Sequence, residues 1–143
     1  MQTRNHDGVH VVRLDRGEDV LATLTGLCRE RGIRGATLQG IGAIEEVEIG
    51  AYVPSDRSYA RVRLDGAWEL LSLQGNVATK GGDPFIHAHV ILGDREGRVR
   101  GGHLFRARVA VTGEVAITEL GAGIVRLPDP DVGLDLWDLG EDG

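Results

Sequence analysis

Phe85–Leu104, FIHAHVILGDREGRVRGGHL, is the stretch that decides the fold. Ile86, Ala88, Val90 and Leu92 alternate with His87 and His89. Alternation of period two marks a half-buried strand, because successive side chains leave opposite faces of the backbone. One face is apolar and belongs to a core, and the other carries two histidines. Asp94-Arg95-Glu96-Gly97 reads as a turn, and the chain from Val99 reads as a returning strand that carries His103. The stretch is therefore a β-hairpin holding three of the chain's five histidines.

Where His103 points depends on the turn. An odd loop, such as Gly93–Gly97, sets His103 across from His87 or a near neighbour, but turns Arg98 and Arg100 toward the core face. A loop of Asp94–Gly97 sends Val99 into the core and the arginines outward, and leaves His103 on the wrong side. A bulge at Gly101-Gly102 repairs this, since one extra residue flips every later side chain and glycine adopts bulge geometry cheaply. The second register is preferred, with the double glycine aiming His103 at His87 and His89.

Three neutral imidazoles suit zinc and other late first-row ions. Three protein ligands leave a position for water or substrate. The expectation is a divalent metal, zinc before others, on His87, His89 and His103, with a small molecule at the open position. Against it stands a polar seam in which these histidines hydrogen-bond between strands or subunits. His6 and His10 are assigned no role.

The rest of the 143-residue chain suits one domain, 1–143. Its N-terminus, 1–8, is polar, and its acidic C-terminal segment, 126–143, is expected to pack back through Leu134, Leu136 and Leu139. Aromatic residues are only 4%, so the core must be Val, Ile, Leu and Ala. Val20, Leu21, Leu24, Leu27 and Cys28 form an apolar stripe that predicts a helix over Gly17–Arg31, with Gly32 ending it. Strands are predicted over Val9–Leu14, Ile33–Ile41, Ile44–Tyr52, Tyr59–Leu64 and Trp68–Val77, along the hairpin to Val111, and over Glu114–Leu120 after a turn at Thr112-Gly113. The fold class is α+β, a mainly antiparallel sheet with one principal helix packed on it.

The formal charge of −6 disfavours DNA as a partner, since nucleic-acid grip needs clustered cations. Arg95, Arg98, Arg100, Arg106 and Arg108 share one hairpin, either as an anion patch or, more simply, as a solvated face paired with Glu46, Glu48 or Glu114. The single cysteine, Cys28, allows no internal disulfide and no thiolate cluster for zinc. The polar N-terminus and the lack of a long apolar run give a cytoplasmic expectation with no membrane partner. Glu69, a charge at the start of an apolar strand, is a candidate partner of a ligating histidine or a catalytic base. Asn76 could hold an imidazole but reads more simply as a turn residue. There is no Gly-rich phosphate loop and no G-x-S-x-G elbow.

WELLSLQGN, FIHAHVILGDREGRVRGGHL and GLDLWDL together resemble the plant-and-prokaryote-conserved (PPC) domain, from about Val11 to Leu139. The resemblance implies an α+β homotrimer in which His87, His89 and His103 match the histidine motif of prokaryotic members, a metal site. Glu69 matches an acidic position of the pattern. The DNA-binding label often attached to the family comes largely from relatives with separate R-G-R-P segments, and Arg31-Gly32-Ile33-Arg34 is not one.

Overall fold

The computed structural model describes residues 1–140. These form β1 (Gln2–His6), β2 (Val9–Asp15), α1 (Val20–Arg31), β3 (Ala36–Val53), β4 (Ser58–Leu64), β5 (Trp68–Lys80), β6 (Asp83–Gly93), β7 (Val99–Glu119), β8 (Val125–Asp129) and β9 (Leu134–Asp138). All strand pairs are antiparallel except the single β5–β8 bridge at Thr79 and Val125. The pairings β3–β5, β5–β6, β6–β7 and β7–β3 close on themselves. β2 and β1 extend from β7, β4 lies on the second half of β3, and the β8–β9 hairpin hangs from β5. The mainly antiparallel sheet with one helix agrees with the predicted class.

The helix packs against β6 and β7. Leu24, Leu27 and Cys28 meet Leu14, Ile44, Leu73, Val90, Leu92, Val109 and Ile117 in one core. Each such aliphatic side chain contributes about 1.5–3 kcal/mol on burial. The helix starts at Val20, where its apolar stripe begins, and not at the predicted Gly17. Gly17 N–H donates to the Val109 carbonyl at 2.8 Å and Val109 N–H to the Glu18 carbonyl at 2.9 Å, so both residues belong to a bridge with β7. Asp19 is the N-cap, its carboxylate accepting from Ala22 N–H at 2.8 Å. Gly32 closes the other end in the left-handed conformation, as predicted.

Other boundaries differ. The two segments predicted before and after Gly42 are one long strand, β3. The turn predicted at Thr112-Gly113 is the interior of β7, held flat by pairing with Asp15 and Leu14 of β2. β5 runs on through Gly75-Asn76 to Lys80. It also carries a register shift between Leu70 and Ser72, so Leu70 and Leu73 are both buried while Leu71 is 51% exposed. The polar N-terminus forms β1, which the alternation did not reveal. Among its described residues, the C-terminal segment meets the sheet through polar groups. Tyr52 O–H donates to the Val132 carbonyl at 2.6 Å, and Lys80 pairs with Asp135, whereas Leu136 and Leu139 are exposed. Residues 141–143 of that segment lie outside the described residues.

Candidate metal centre

β6 and β7 pair as Gly93 with Val99, Leu92 with Arg100, Ile91 with Gly101, Val90 with Gly102 and His89 with His103, without a shift. The loop is 94–98, an odd length, so the preferred four-residue turn with a bulge at Gly101-Gly102 is overturned. The odd-loop alternative holds in kind. Asp94 sets the loop length. Its carboxylate accepts from Glu96 N–H at 3.0 Å, Arg98 N–H at 2.9 Å and Arg98 Nε at 2.6 Å. These bonds keep Arg98 inside the loop. Arg100 does face the side of Leu92, but β7 gains its β3 neighbour only at His103, so Arg100 stands on a free edge and reaches solvent. The double glycine serves close approach and not a bulge. A Cβ on Gly101 would lie 2.8 Å from the Val90 carbonyl oxygen, and one on Gly102 would lie 2.8 Å from that of Gly50.

The consequence is that His87, His89 and His103 share one face. Their ligand-type nitrogens all lie within 4.8 Å of one another. His87 Nε2 and His89 Nε2 are 3.1 Å apart. The ring centroids are separated by 5.0, 5.0 and 5.5 Å. His87 and His103 are half-buried and His89 is exposed, so the cluster opens on one side. Burial, then the neighbouring His87 and His89, then Arg61 and Arg126, lower the His103 pKa to about 4. Burial, Arg126 and His89 lower that of His87. Both imidazoles are therefore neutral near pH 7, which is the ligating form. His103 Nδ1 is buried without a hydrogen-bond partner. This donor set fits a late first-row divalent ion.

One wall of the cluster is aromatic. Tyr59 and Phe105 stand 5.0 and 4.6 Å from the His103 ring, and Arg61 lies 3.8 Å over Phe105. The other wall comes from a residue that sequence reasoning missed. Arg126 of β8 sits between Phe85 and Trp137 and turns its guanidinium to the site. Its Nη2 donates to Asn76 Oδ1 at 2.9 Å and lies 3.2 Å from His87 Nδ1, while Nη1 donates to the Asp135 carbonyl at 2.9 Å. The available signal was a lone arginine between two apolar residues in an acidic segment. Asn76 is a strand residue directly across from His87, held by Arg126. Gln74, Gly75, Asn76, His87 and His89 line an open depression of about 300 Å³ beside the cluster.

Glu69 is not with the histidines. It is exposed, it pairs with Gly93 and Ala43, and it lies about 16 Å along β5 from Gln74, the partner of His89. Glu69 is thus corrected as a partner of these histidines, whereas Arg126, itself held by Asn76, contacts His87 Nδ1. Among the five hairpin arginines, Arg106 and Arg108 bind Glu46 at 2.5 and 3.1 Å, and Arg98 binds Asp94 and Glu96. His10, assigned no role, is buried and contacts Glu119 at 2.8 Å and Asn5, tying β2 to β7.

The profile of the plants and prokaryotes conserved (PCC, also written PPC) domain matches residues 1–121. The chain belongs to this family. The PCC match ends before β8 and β9, which supply Arg126 and Trp137. A PPC protein of Pyrococcus horikoshii is 36% identical, with a TM-score of 0.86 over 98% of this chain and 95% of that one. A metal-containing protein of Archaeoglobus fulgidus is 37% identical, with a TM-score of 0.84 over 90% of this chain and 91% of that one. A candidate DNA-binding protein of Bacteroides thetaiotaomicron is 25% identical, with a TM-score of 0.92 over 96% of each chain. No curated protein matches the chain. Among the described residues no helix is long and apolar enough to cross a membrane.

Proposed function

We propose that this PCC domain is a divalent-metal protein, with zinc held by His87, His89 and His103 and a small molecule admitted at the remaining position. The observation that carries the reading is the convergence of three imidazole nitrogens within 4.8 Å on one sheet face. The metal-containing relative of Archaeoglobus fulgidus supports it. Three imidazoles with an open fourth position form a ligand set that zinc adopts in catalytic sites. A bound divalent ion supplies Lewis acidity toward water or a carbonyl. The chain's own groups orient the ligands and bound the site: Asn76 and Gln74 face the depression, and Tyr59 and Phe105 keep water from the back of His103.

In this reading the chain works as one domain, 1–143, in the cytoplasm, as a homotrimer. Val11, Ile41, Leu71 and Val111 turn outward around adjoining depressions, with Val111 68% exposed. An apolar surface of this kind favours burial against copies of the chain. Ile91, also exposed, extends it to the edge of His89.

Elemental analysis of protein purified without a His tag is expected to show about one zinc per chain. Light scattering is expected to give three times the chain mass of 15.4 kDa. Metal-free wild-type protein, with folding unchanged in His103→Ala, would sink the metal reading.

A DNA-associated role has one observation in its favour, the likeness to the candidate DNA-binding protein of Bacteroides thetaiotaomicron. The charge of −6 and the paired state of Arg98, Arg106 and Arg108 oppose it. Titration of a labelled duplex at low salt decides the matter, since true binding weakens steeply as salt rises.

A further inference from the structure

We infer that the ligand admitted to this centre is a small monocarboxylate, recognised through Arg126. The inference rests on the metal reading above and names the substrate class of the same site.

The first argument is charge balance. Arg126 is only 8% exposed. A buried guanidinium is costly without a counter-charge. Its partners are the Asp135 carbonyl, Asn76 Oδ1 and a ring nitrogen of His87, all neutral. Its Nε is buried with no partner at all. The carboxylate of Asp135, the acid whose charge it feels most, is engaged by Lys80. Among the described residues no carboxylate lies within ion-pair distance of this arginine. Three neutral imidazoles beside it, loaded with a divalent ion, make a strongly cationic centre that holds no acid of its own.

The second argument is donor bookkeeping. Arginine has five N–H donors and no acceptor. The His87 Nδ1 that faces Nη2 at 3.2 Å must therefore accept, which leaves the proton of the neutral ring on Nε2, toward His89. A neutral histidine that ligates through Nε2 carries its proton on Nδ1 instead. Arg126 Nη2 then loses that acceptor, while Nε already has none. Metal loading thus leaves Nε and one Nη2 hydrogen without an acceptor, and a carboxylate has two oxygens in the geometry that satisfies such a fork.

The third argument is space. The depression of about 300 Å³ is at the small end of ligand pockets. Two of its lining residues, Asn76 and His87, are the ones Arg126 touches. The Gln74 side chain adds a neutral amide. Arg61 is committed to Glu48 at 3.3 Å, and Lys80 to Asp135, so beside the metal the site offers one guanidinium, whose edge matches the two oxygens of a single carboxylate.

The test is calorimetric titration of the zinc-containing protein, its metal content measured on the same sample, with glycolate, with the neutral glycolamide and with inorganic phosphate. Glycolate is expected to bind at least tenfold more tightly than glycolamide and more tightly than phosphate. It should also shift the visible spectrum of cobalt-substituted protein. Arg126→Gln should keep its zinc and lose at least tenfold in glycolate affinity, and Arg126→Lys should fall between. Equal binding of glycolate and glycolamide overturns the inference, and this comparison needs no variant and survives any loss of folding in Arg126→Gln. Unchanged glycolate affinity in folded Arg126→Gln also overturns it, as does tighter binding of phosphate. Zinc present with no preference for the anion defeats this inference alone, whereas absence of zinc from the wild type defeats the metal reading beneath it.

Discussion

Acid should destabilise the metal-free protein through its histidine cluster, in a window that the structure sets. Burial and the neighbouring imidazoles hold the His103 pKa at about 4. In the unfolded chain the same group titrates near ~6.5. Between these values the unfolded state binds a proton that the folded state refuses, so stability falls as pH falls. Above the upper value, and below the lower one, His103 contributes no slope. Within the window each pH unit costs about 1.4 kcal/mol. Moving from about pH 7.5 to about pH 4.5 therefore removes about 3 kcal/mol, an upper figure because His103 and His87 titrate as a coupled pair. His87, shifted in the same direction, adds to the loss. Asp15 and Asp94 titrate below their ordinary value of 3.8, so their contributions disappear only at lower pH. With a urea dependence of about 1.5 kcal/mol per molar, the midpoint should drop by about 2 M. The assay is urea unfolding in the presence of a chelator, followed by the fluorescence of Trp68 and Trp137. His103→Gln keeps a polar side chain but cannot titrate, so its midpoint should drop much less. An equal drop in wild type and variant, or a wild-type midpoint independent of pH across the window, would refute the reasoning.

Three further outcomes follow from local geometry. In Gly75→Ala the new methyl would sit 2.2 Å from the His87 carbonyl oxygen and 2.9 Å from Ala88 Cα, forcing β5 from β6. A loss of about 3 kcal/mol in urea unfolding and reduced zinc content are expected. Gly26, inside α1, has open space where a Cβ would go, so Gly26→Ala should raise stability by about 0.5–1 kcal/mol. Asp19→Ala removes the bond to Ala22 N–H and should cost about 1 kcal/mol, read from the thermal midpoint.

Much of the site could be read from residues alone. The alternation in β6 assigned His87 and His89 to one face and Ile86, Ala88, Val90 and Leu92 to the other, and the burial pattern agrees. The apolar stripe located α1, and Gly32 its end. His103 was a different case. Its face depended on a loop whose length Asp94 sets by bonding to Glu96 and Arg98, and no alternation reports that. The double glycine allows close approach of neighbouring strands and not the bulge that its sequence suggests. What crowds Gly102 is the carbonyl of Gly50, far away in the chain on β3. A shift of register does exist nearby, but in β5 at Leu71, where an apolar run conceals it. The position of Arg126 is not legible in the sequence, because nothing local shows that β8 folds back over Phe85 and reaches Asn76.

By itself the sequence determined the strand and helix periods, the apolar face of the hairpin and the pairing of His87 with His89. These follow from the backbone geometry of a single element, which nearest neighbours specify. Only the tertiary structure decided that His103 lies across from His89, that Gly102 admits β3, that Glu69 is remote and that Arg126 stands behind His87. Each of these is a relation between two strands. It is set by interstrand hydrogen bonding, steric approach and the burial of charge, which a linear pattern does not encode.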